Sequence, residues 1–436
     1  FEVSMKKIFP LFLLICITLS FFSACTKPQI PVFEEETEIN FRGSNFTVYI
    51  DSTFKLFRKE GKNASDDRFN QRLRDIQGKY NLFFSEIPSD NIAIDFMTGS
   101  LTGNIVADVV IAKEPGKLFE TYKINAIVPV EDILENPHDI KYGTEKIAEG
   151  TMFAGKQYGV FPYLHDTPPE ISGLLSLVMD YVEEFNLSDP HEAIENGEWD
   201  WTHFKAFIEE ATFSDGDNDY VGLTLSGANN SSNSFAPFIF ANGGTMMKYS
   251  ETRGYTVAFD SPEAIEAMEF VSEIFTSPYA DCPGNDEKDY VLNLGSPNFN
   301  SSEYEIHVLP IPYGPNGSPD SVSTIFHSCD FWAFPIFSIY SPAEISVIID
   351  NLFEPLSEFY PNGWKDYMLD NCFYDDQDYE YYCYATDNVN FVDNDLFTNI
   401  FYPLLQRITA GTDSVQSSIE SIKSTIQERL DNKYNK

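Results

Sequence analysis

The chain has 436 residues, more than one hydrophobic core organises, so two packed bodies are expected from length alone. Hydrophobic residues make up 43% and aromatic residues 15%, which excludes a disordered chain and supplies rings for both cores and ligand contacts. Against 28 Lys and Arg stand 68 Asp and Glu, a formal charge of −40 that repels phosphate backbones and anionic lipid surfaces, so nucleic acid is not an expected partner.

Residues 1–24 carry Lys6 and Lys7 ahead of the apolar run Ile8 to Phe22, followed by Ser23, Ala24 and Cys25. A positive start, a short apolar stretch and small residues before a cleavage point make a signal peptide, and the run falls short of the ~20 apolar residues that span a bilayer. FFSAC resembles a bacterial lipobox, with Phe22 where leucine is usual, which implies cleavage before Cys25 and lipidation of its thiol. Residues 25–40, rich in Glu and Pro and without periodicity, read as an acidic tether.

The folded part is expected to begin near Phe41. FTVYID reads as a strand, DDRFNQRLRDIQGKY as a helix, and IAIDFM and ADVVIA as two more strands. KLFETYKI then reads as a helix and NAIVPV as an extended run, an alternation that predicts an α/β body with a parallel sheet. GKQYGVFPY reads as a Gly-bounded strand, and LLSLVMDYVEEF, WTHFKAFIEEA and PEAIEAMEFVSEIF as amphipathic helices of a second body. YEIHVLPIPYGPNG is extended and suited to carry the chain back across a hinge, before DFWAFPIF and the helix PAEISVIIDNLF. Val415, Ile419, Ile422, Ile426 and Leu430 form one apolar stripe of a final helix.

Several local readings are structural. Thr202 is placed to cap its helix, with Trp199 and Trp201 packing against the first turn; Ser261 and Pro262 open another helix. Asp215, Asp217 and Asp219 alternate as in a calcium loop but lack its sixth-position glycine and twelfth-position glutamate, so a turn is expected. Cys282, Cys329, Cys372 and Cys383 make no CxxC pair, and the histidines do not join them at zinc-site spacing, so neither a metal nor another cofactor is expected. With no GxSxG, HExxH or P-loop, the sequence carries no local signature of an enzyme.

In this order, ADVVIA with IVPVEDI, GKQYGVFPY, NGEWDWTHFKAF, SDGDNDYVGL, FANGG, AFDSPEAIEAMEF, LPIPYGPNG and WAFPIFSIYSPAEI resemble the landmarks of the family 1 extracellular solute-binding proteins of bacterial ABC transporters. The likeness runs over about residues 41 to 436. It implies a two-lobed, type II periplasmic-binding-protein-like α/β fold, with 41–160 plus 312–358 as lobe 1 and 161–311 plus 359–436 as lobe 2. A ligand cleft would lie between lobes joined by hinge segments. It further implies a lipid-anchored, exported monomer that passes a sugar or oligosaccharide to permease subunits without cofactor or catalysis; a peptide receptor or a surface sensory protein is the alternative. Loops after parallel strands habitually hold ligands. They nominate Asp51, Phe54, Lys113, Glu114, Tyr163 and Asp166, with Asp330 and Trp332 at the turn that faces the cleft in the family and Ser328 beside them; Trp332 heads the list. Asn242 and Gly243 are expected to be structural. Two stretches depart from the pattern: TSPYADCPGNDEKDYVLNLGSPNFNSS lacks a GKxAM-like motif, and DDQDYEYYCYATDNVNFVDND is an acidic, Tyr-rich insert read as a loop or a lid.

Overall fold

A computed structural model describes residues 39–103, 107–112, 115–225, 232–250, 252–281, 289–295, 304–328, 330–373, 375–397 and 399–435. Cys25, Lys113, Glu114, Cys282 and Cys329, and the side chain of Ser328, lie outside them.

The first sheet is built from β1 (Ser44–Asp51), β2 (Leu82–Ser89), β3 (Val109–Ala112) and β4 (Ile127–Val128). A late strand completes it, in the order β2-β1-β3-late strand-β4. β1 pairs in parallel with β2 and β3, and the late strand runs antiparallel to β3 and β4. Phe46, Val48 and Ile50 of β1 are buried at alternate positions, as a strand with one core-facing side requires. The flanking helices α1 (Ala64–Tyr80), α2 (Ile92–Thr102) and α3 (Pro115–Lys123) alternate with these strands. Phe96 and Leu118 of α2 and α3 join Val110 and Ala112 of β3 in one core.

IAIDFM, expected as a strand, is the start of α2. The Asn91 side chain accepts from the Ile94 amide at 3.1 Å, Asp95 occupies the first turn, and Gly103 closes the helix in the left-handed region. A short apolar run fits either periodicity, and here the caps decide it. The strand at this point of the alternation is the preceding LFFSEIPS. GKQYGVFPY is likewise not one strand: a small hairpin pairs β5 (Met152–Phe153) with β6 (Lys156–Gln157), and Val160 then bridges Trp332.

The chain leaves for the second sheet through β7 (Glu170–Ser172), which leads into β8 (Leu174–Val178). Gly173 between them has φ +86°, and a Cβ there would lie 2.8 Å from Pro237 Cγ and 2.9 Å from the Ser323 carbonyl, so the kink admits only glycine. LLSLVMDYVEEF is therefore half strand; α4 begins only at Met179 and ends at Phe185, because Leu174, Leu175 and Leu177 are buried without helical spacing. α5 (Pro190–Glu195) and α6 (Trp201–Glu210) follow. The cap of α6 is Asp200, which accepts from the amides of Thr202 and His203 at 2.9 and 3.0 Å, rather than Thr202 itself. Trp199 is buried with its indole N–H donating to the Pro310 carbonyl at 2.9 Å, and Trp201 stacks on Phe270 at 4.1 Å.

A two-residue strand, β9 (Phe213–Ser214), precedes β10 (Asp219–Leu225), with Asp215 accepting from the amides of Asp217 and Asn218 in the turn between. After α7 (Ser232–Ala241) come the hairpin β11 (Met247–Ser250) and β12 (Gly254–Val257) and the helix α8 (Pro262–Thr276), capped by Ser261. β13 (Ala280–Asp281), β14 (Asp289–Gly295) and β15 (Ile306–Leu309) complete the sheet, ordered β13-β10-β14-β8-β15 with β9 on β10. The stretch that lacks the GKxAM-like motif thus contributes the interior strand β14. Asn242 is buried and structural: its amide donates to the Glu263 carbonyl and Glu266, and its oxygen accepts from the Asn316 amide.

The return path is β16 (Ile325–Ser328), antiparallel to β7, leading into β17 (Phe331–Pro335), the late strand of the first sheet. The crossings therefore fall at 170–174 and 325–331, later than the expected 160 and 312. Ile311 and Ile325 sit in the second-sheet core. α9 (Pro342–Phe353) carries a full capping box between Ser341 and Glu344, and its Phe353 meets Trp332 edge-on at 5.4 Å. α10 (Trp364–Asn371) and α11 (Asp376–Asp387) then bury Trp364, Met368, Tyr382 and Ala385 with the first-sheet core, although this segment was expected with lobe 2. The first part of the acidic insert is consequently a packed helix rather than a loop or a lid, and 388–393 continue from it without helix. Cys372 and Cys383 are free thiols, the latter pushed up to about 11 by burial. Finally α12 (Phe401–Thr409) and α13 (Val415–Leu430) dock on the second core, with Val415, Ile419, Ile426 and Leu430 buried and Ile422 partly so.

Candidate ligand-binding site

The ribbon β7–β16 joins the two sheets, and a cavity of about 110 Å³ opens beside it. Its position follows from strand direction. The parallel strand β1 ends at Asp51, and β17 begins opposite the end of β3, with Phe331 paired to Ala112. The loop after β1 contributes Phe54 and Arg58, the segment entering the ribbon contributes Phe161, His165 and Glu170, and the start of β17 contributes Asp330 and Trp332. This is the carboxyl edge of a parallel sheet, where open α/β folds leave room for ligands. Aromatic faces and carboxylates converge there, the combination that binds a molecule with apolar ring faces and hydroxyls.

Arg58 lines the cavity. Its guanidinium lies 3.0 Å from Asp66 and 4.5 Å over the Phe69 ring, so its orientation is fixed from two sides. His165 is buried, and burial drives its pKa down from 6.5 to about 3, with Arg58 and Arg72 adding to the effect. The ring is therefore neutral, and its Nε2 donates to the Leu352 carbonyl at 2.8 Å.

Phe54, Asp330 and Trp332 are brought together at this cavity; the other described nominees are not. Asp51 ends β1 nearby, where the Thr53 hydroxyl and the Lys117 ammonium, 3.2 Å away, engage its carboxylate. Partial burial raises its pKa, but these partners outweigh that and the net shift is down. Tyr163 is a core residue: it is 1% exposed, meets Trp364 edge-on at 5.8 Å, and donates its hydroxyl to Asp387. Burial, with Asp387 adding to it, raises its pKa. Asp166 is also internal, held by Arg68 Nε at 2.7 Å. Both follow β6 in sequence, but the chain turns inward between Pro162 and Thr167, so position after a strand overstated their access. Arg58, Phe161, His165 and Glu170 were missed. His165 and Glu170 lie in HDTPPE, within four residues of a nominee, and the signal was a His and a Glu flanking a Pro pair at a strand exit.

A second, larger cavity of about 470 Å³ lies between the β5–β6 hairpin and the β11–β12 hairpin, lined by Phe153, Phe240, Tyr249, Tyr255, Phe391 and Tyr434 among others. None of the nominated residues that the structure describes lines it. Size favours it, but the convergence of carboxylates, a cation and aromatic rings at a sheet's carboxyl edge favours the smaller cavity as the ligand site.

No protein-family model matches the chain, and no curated protein does. Solved structures do. The GacH receptor of Streptomyces glaucescens, solved unliganded and with acarbose, aligns at 15% identity over 90% of this chain and 99% of its own, with a TM-score of 0.58. The cyclic α-maltosyl-1,6-maltose binding protein of Arthrobacter globiformis aligns at 12% identity over 89% and 100%, with a TM-score of 0.64. UgpB of Mycobacterium tuberculosis, in complex with glycerophosphocholine, aligns at 15% identity over 88% and 98%, with a TM-score of 0.57. These alignments establish the fold: a mixed α/β chain of the periplasmic-binding-protein-like type, as the sequence resemblance implied.

Proposed function

We propose that the protein is a solute-binding protein that captures a sugar or oligosaccharide between its two sheets and delivers it to the permease of an ABC importer. The observation that carries this reading is the cavity beside the β7–β16 ribbon, where the partly exposed Phe54 offers a ring face, Trp332 lines the wall, and Glu170, Asp330 and Arg58 offer polar partners. The two antiparallel strands β7 and β16, with the segment at Asn390 bridged in parallel to Ile325, join the sheets, a connection narrow enough to act as a hinge. Ligand contacts made on both sides would then stabilise the closed arrangement. The ligands of two structural neighbours, acarbose and a cyclic maltosyl-maltose, support the sugar class. Among the described residues no helix is long and apolar enough to cross a membrane. Anchoring rests instead on the signal peptide and on lipidation of Cys25, with residues 25–40 as the tether and the chain outside the cytoplasmic membrane. The protein binds its ligand without transforming it.

The test is a thermal-shift and calorimetric screen of the chain from Thr26 onward against maltooligosaccharides, glycerophosphocholine and short peptides. A ligand at one hundred times its dissociation constant stabilises by about 2.7 kcal/mol. Stabilisation by one sugar class, weakened at least about tenfold (about 1.4 kcal/mol) by Phe54→Ala, is expected. Trp332→Ala is a poorer probe, because Trp332 is 2% exposed and its loss costs the core about 3–5 kcal/mol. Stabilisation by peptides or glycerophosphocholine with none by any sugar refutes the sugar assignment.

A further inference from the structure

His191 of α5, His307 of β15 and Asp378 of α11 come from three separate parts of the chain and meet with their ligating atoms all within 4.8 Å of one another. His191 Nε2 lies 3.2 Å from Asp378 Oδ1, and His307 Nδ1 lies 3.0 Å from Asp378 Oδ2. The two imidazoles meet edge to face, with centroids 5.1 Å apart. Asp378 and His307 are almost enclosed, their side chains 4% and 9% exposed.

Hydrogen bonding accounts for His191, whose Nε2 reaches Asp378 Oδ1, but leaves His307 Nδ1 over. His307 Nδ1 is buried without a well-aligned hydrogen bond, 3.0 Å from an Asp378 oxygen that also accepts from the Val308 amide; burial lowers the ring's pKa, but Asp378 and Glu305 outweigh it and raise it to about 9, so a metal ion here would displace a proton. The far nitrogen of each ring, by contrast, is well served. His191 Nδ1 lies 2.7 Å from Asp189, and His307 Nε2 lies 3.1 Å from Glu305. A carboxylate behind each imidazole is the arrangement that fixes the tautomer and orientation of a metal-binding histidine.

We propose that His191 Nε2, His307 Nδ1 and the Asp378 carboxylate form a binding site for a divalent ion of the zinc class, oriented by Asp189 and Glu305. Four-coordinate zinc with bonds of about 2.0–2.1 Å sets its ligand atoms about 3.3 Å apart, near the separation of each ring nitrogen from its own Asp378 oxygen, so one oxygen serves both rings after a turn of the carboxylate. Two imidazoles discriminate against calcium and magnesium, which take oxygen ligands. Three protein ligands leave a fourth position for water. The bound ion ties α11, which packs with the first-sheet core, to β15 of the second sheet and to α5. It therefore fastens the acidic insert that departs from the family pattern. Sequence spacing hid the site, because none of the three ligands is near another along the chain.

The experiment is zinc binding by the full chain in mild detergent, stripped with chelator and titrated in competition with a chromogenic chelator. Millimolar magnesium is included to occupy the acidic surface. One equivalent of zinc is expected, with two histidine nitrogens in its X-ray absorption spectrum. His191→Gln and His307→Gln each weaken binding at least about tenfold, and Glu305→Gln, on a half-exposed side chain whose loss leaves the fold intact, weakens it by about 10- to 100-fold. Absence of a competitive equivalent, a spectrum without histidine, or unchanged affinity in the Glu305 variant and in whichever histidine variants fold overturns the proposal.

Discussion

His165 makes the protein lose stability in acid by a calculable amount. In the unfolded chain its ring titrates near 6.5, whereas in the folded protein burial among Phe69, Phe353 and the chain of Leu352 holds its pKa down to about 3. Above pH 6.5 both states carry a neutral ring and the group has no effect. As the pH falls from 6.5 towards 3 the unfolded state takes up a proton that the folded state refuses. Stability then declines by about 1.4 kcal/mol per pH unit, and the loss is complete below the folded pKa. Between pH 7 and pH 5 this amounts to about 2 kcal/mol. The perturbation is His165→Gln, which retains an amide N–H to donate to the Leu352 carbonyl, bonded at 2.8 Å in the native protein, but has no titrating ring. Urea unfolding of both proteins at pH 7 and pH 5 gives the pH dependence of their difference, in which every other titrating group cancels. The variant should gain about 2 kcal/mol on the wild type over this interval. A change in the difference smaller than about 0.5 kcal/mol refutes the argument that burial governs this ring.

Two further outcomes follow from packing. Gly363, with φ +65°, caps α10 where a Cβ would lie 2.4 Å from the Leu164 carbonyl oxygen, so Gly363→Ala should cost more than about 2 kcal/mol in urea unfolding; a neutral result means the segment shifts freely. Asn242→Ala removes the acceptor of the Asn316 amide and the donor to the Glu263 carbonyl, so it should lower stability by about 3 kcal/mol, checked by the same unfolding curves.

What the sequence determined by itself was local and repetitive. The alternation of Phe46, Val48 and Ile50, the Ser261 and Ser341 caps with proline behind them, and the stripe from Val415 to Leu430 each encode an element within one short window. Where two periodicities fit the same window, as in IAIDFM and LLSLVMDYVEEF, caps and burial by distant residues decided the outcome. The proposed ligand site was legible only in part. Phe54 follows from the rule that ligands sit after strand ends, and Asp330 and Trp332 from the family resemblance, but whether a residue beyond a strand turns outward depends on what packs against it. Tyr163 turned inward because Trp364 and Asp387, some two hundred residues later, supply a ring and a carboxylate for it. The histidine and aspartate cluster was invisible for the same reason. Sequence spacing reports neighbours along one element, whereas His191, His307 and Asp378 are neighbours only because α11 docks beside β15, and tertiary packing alone sets that contact.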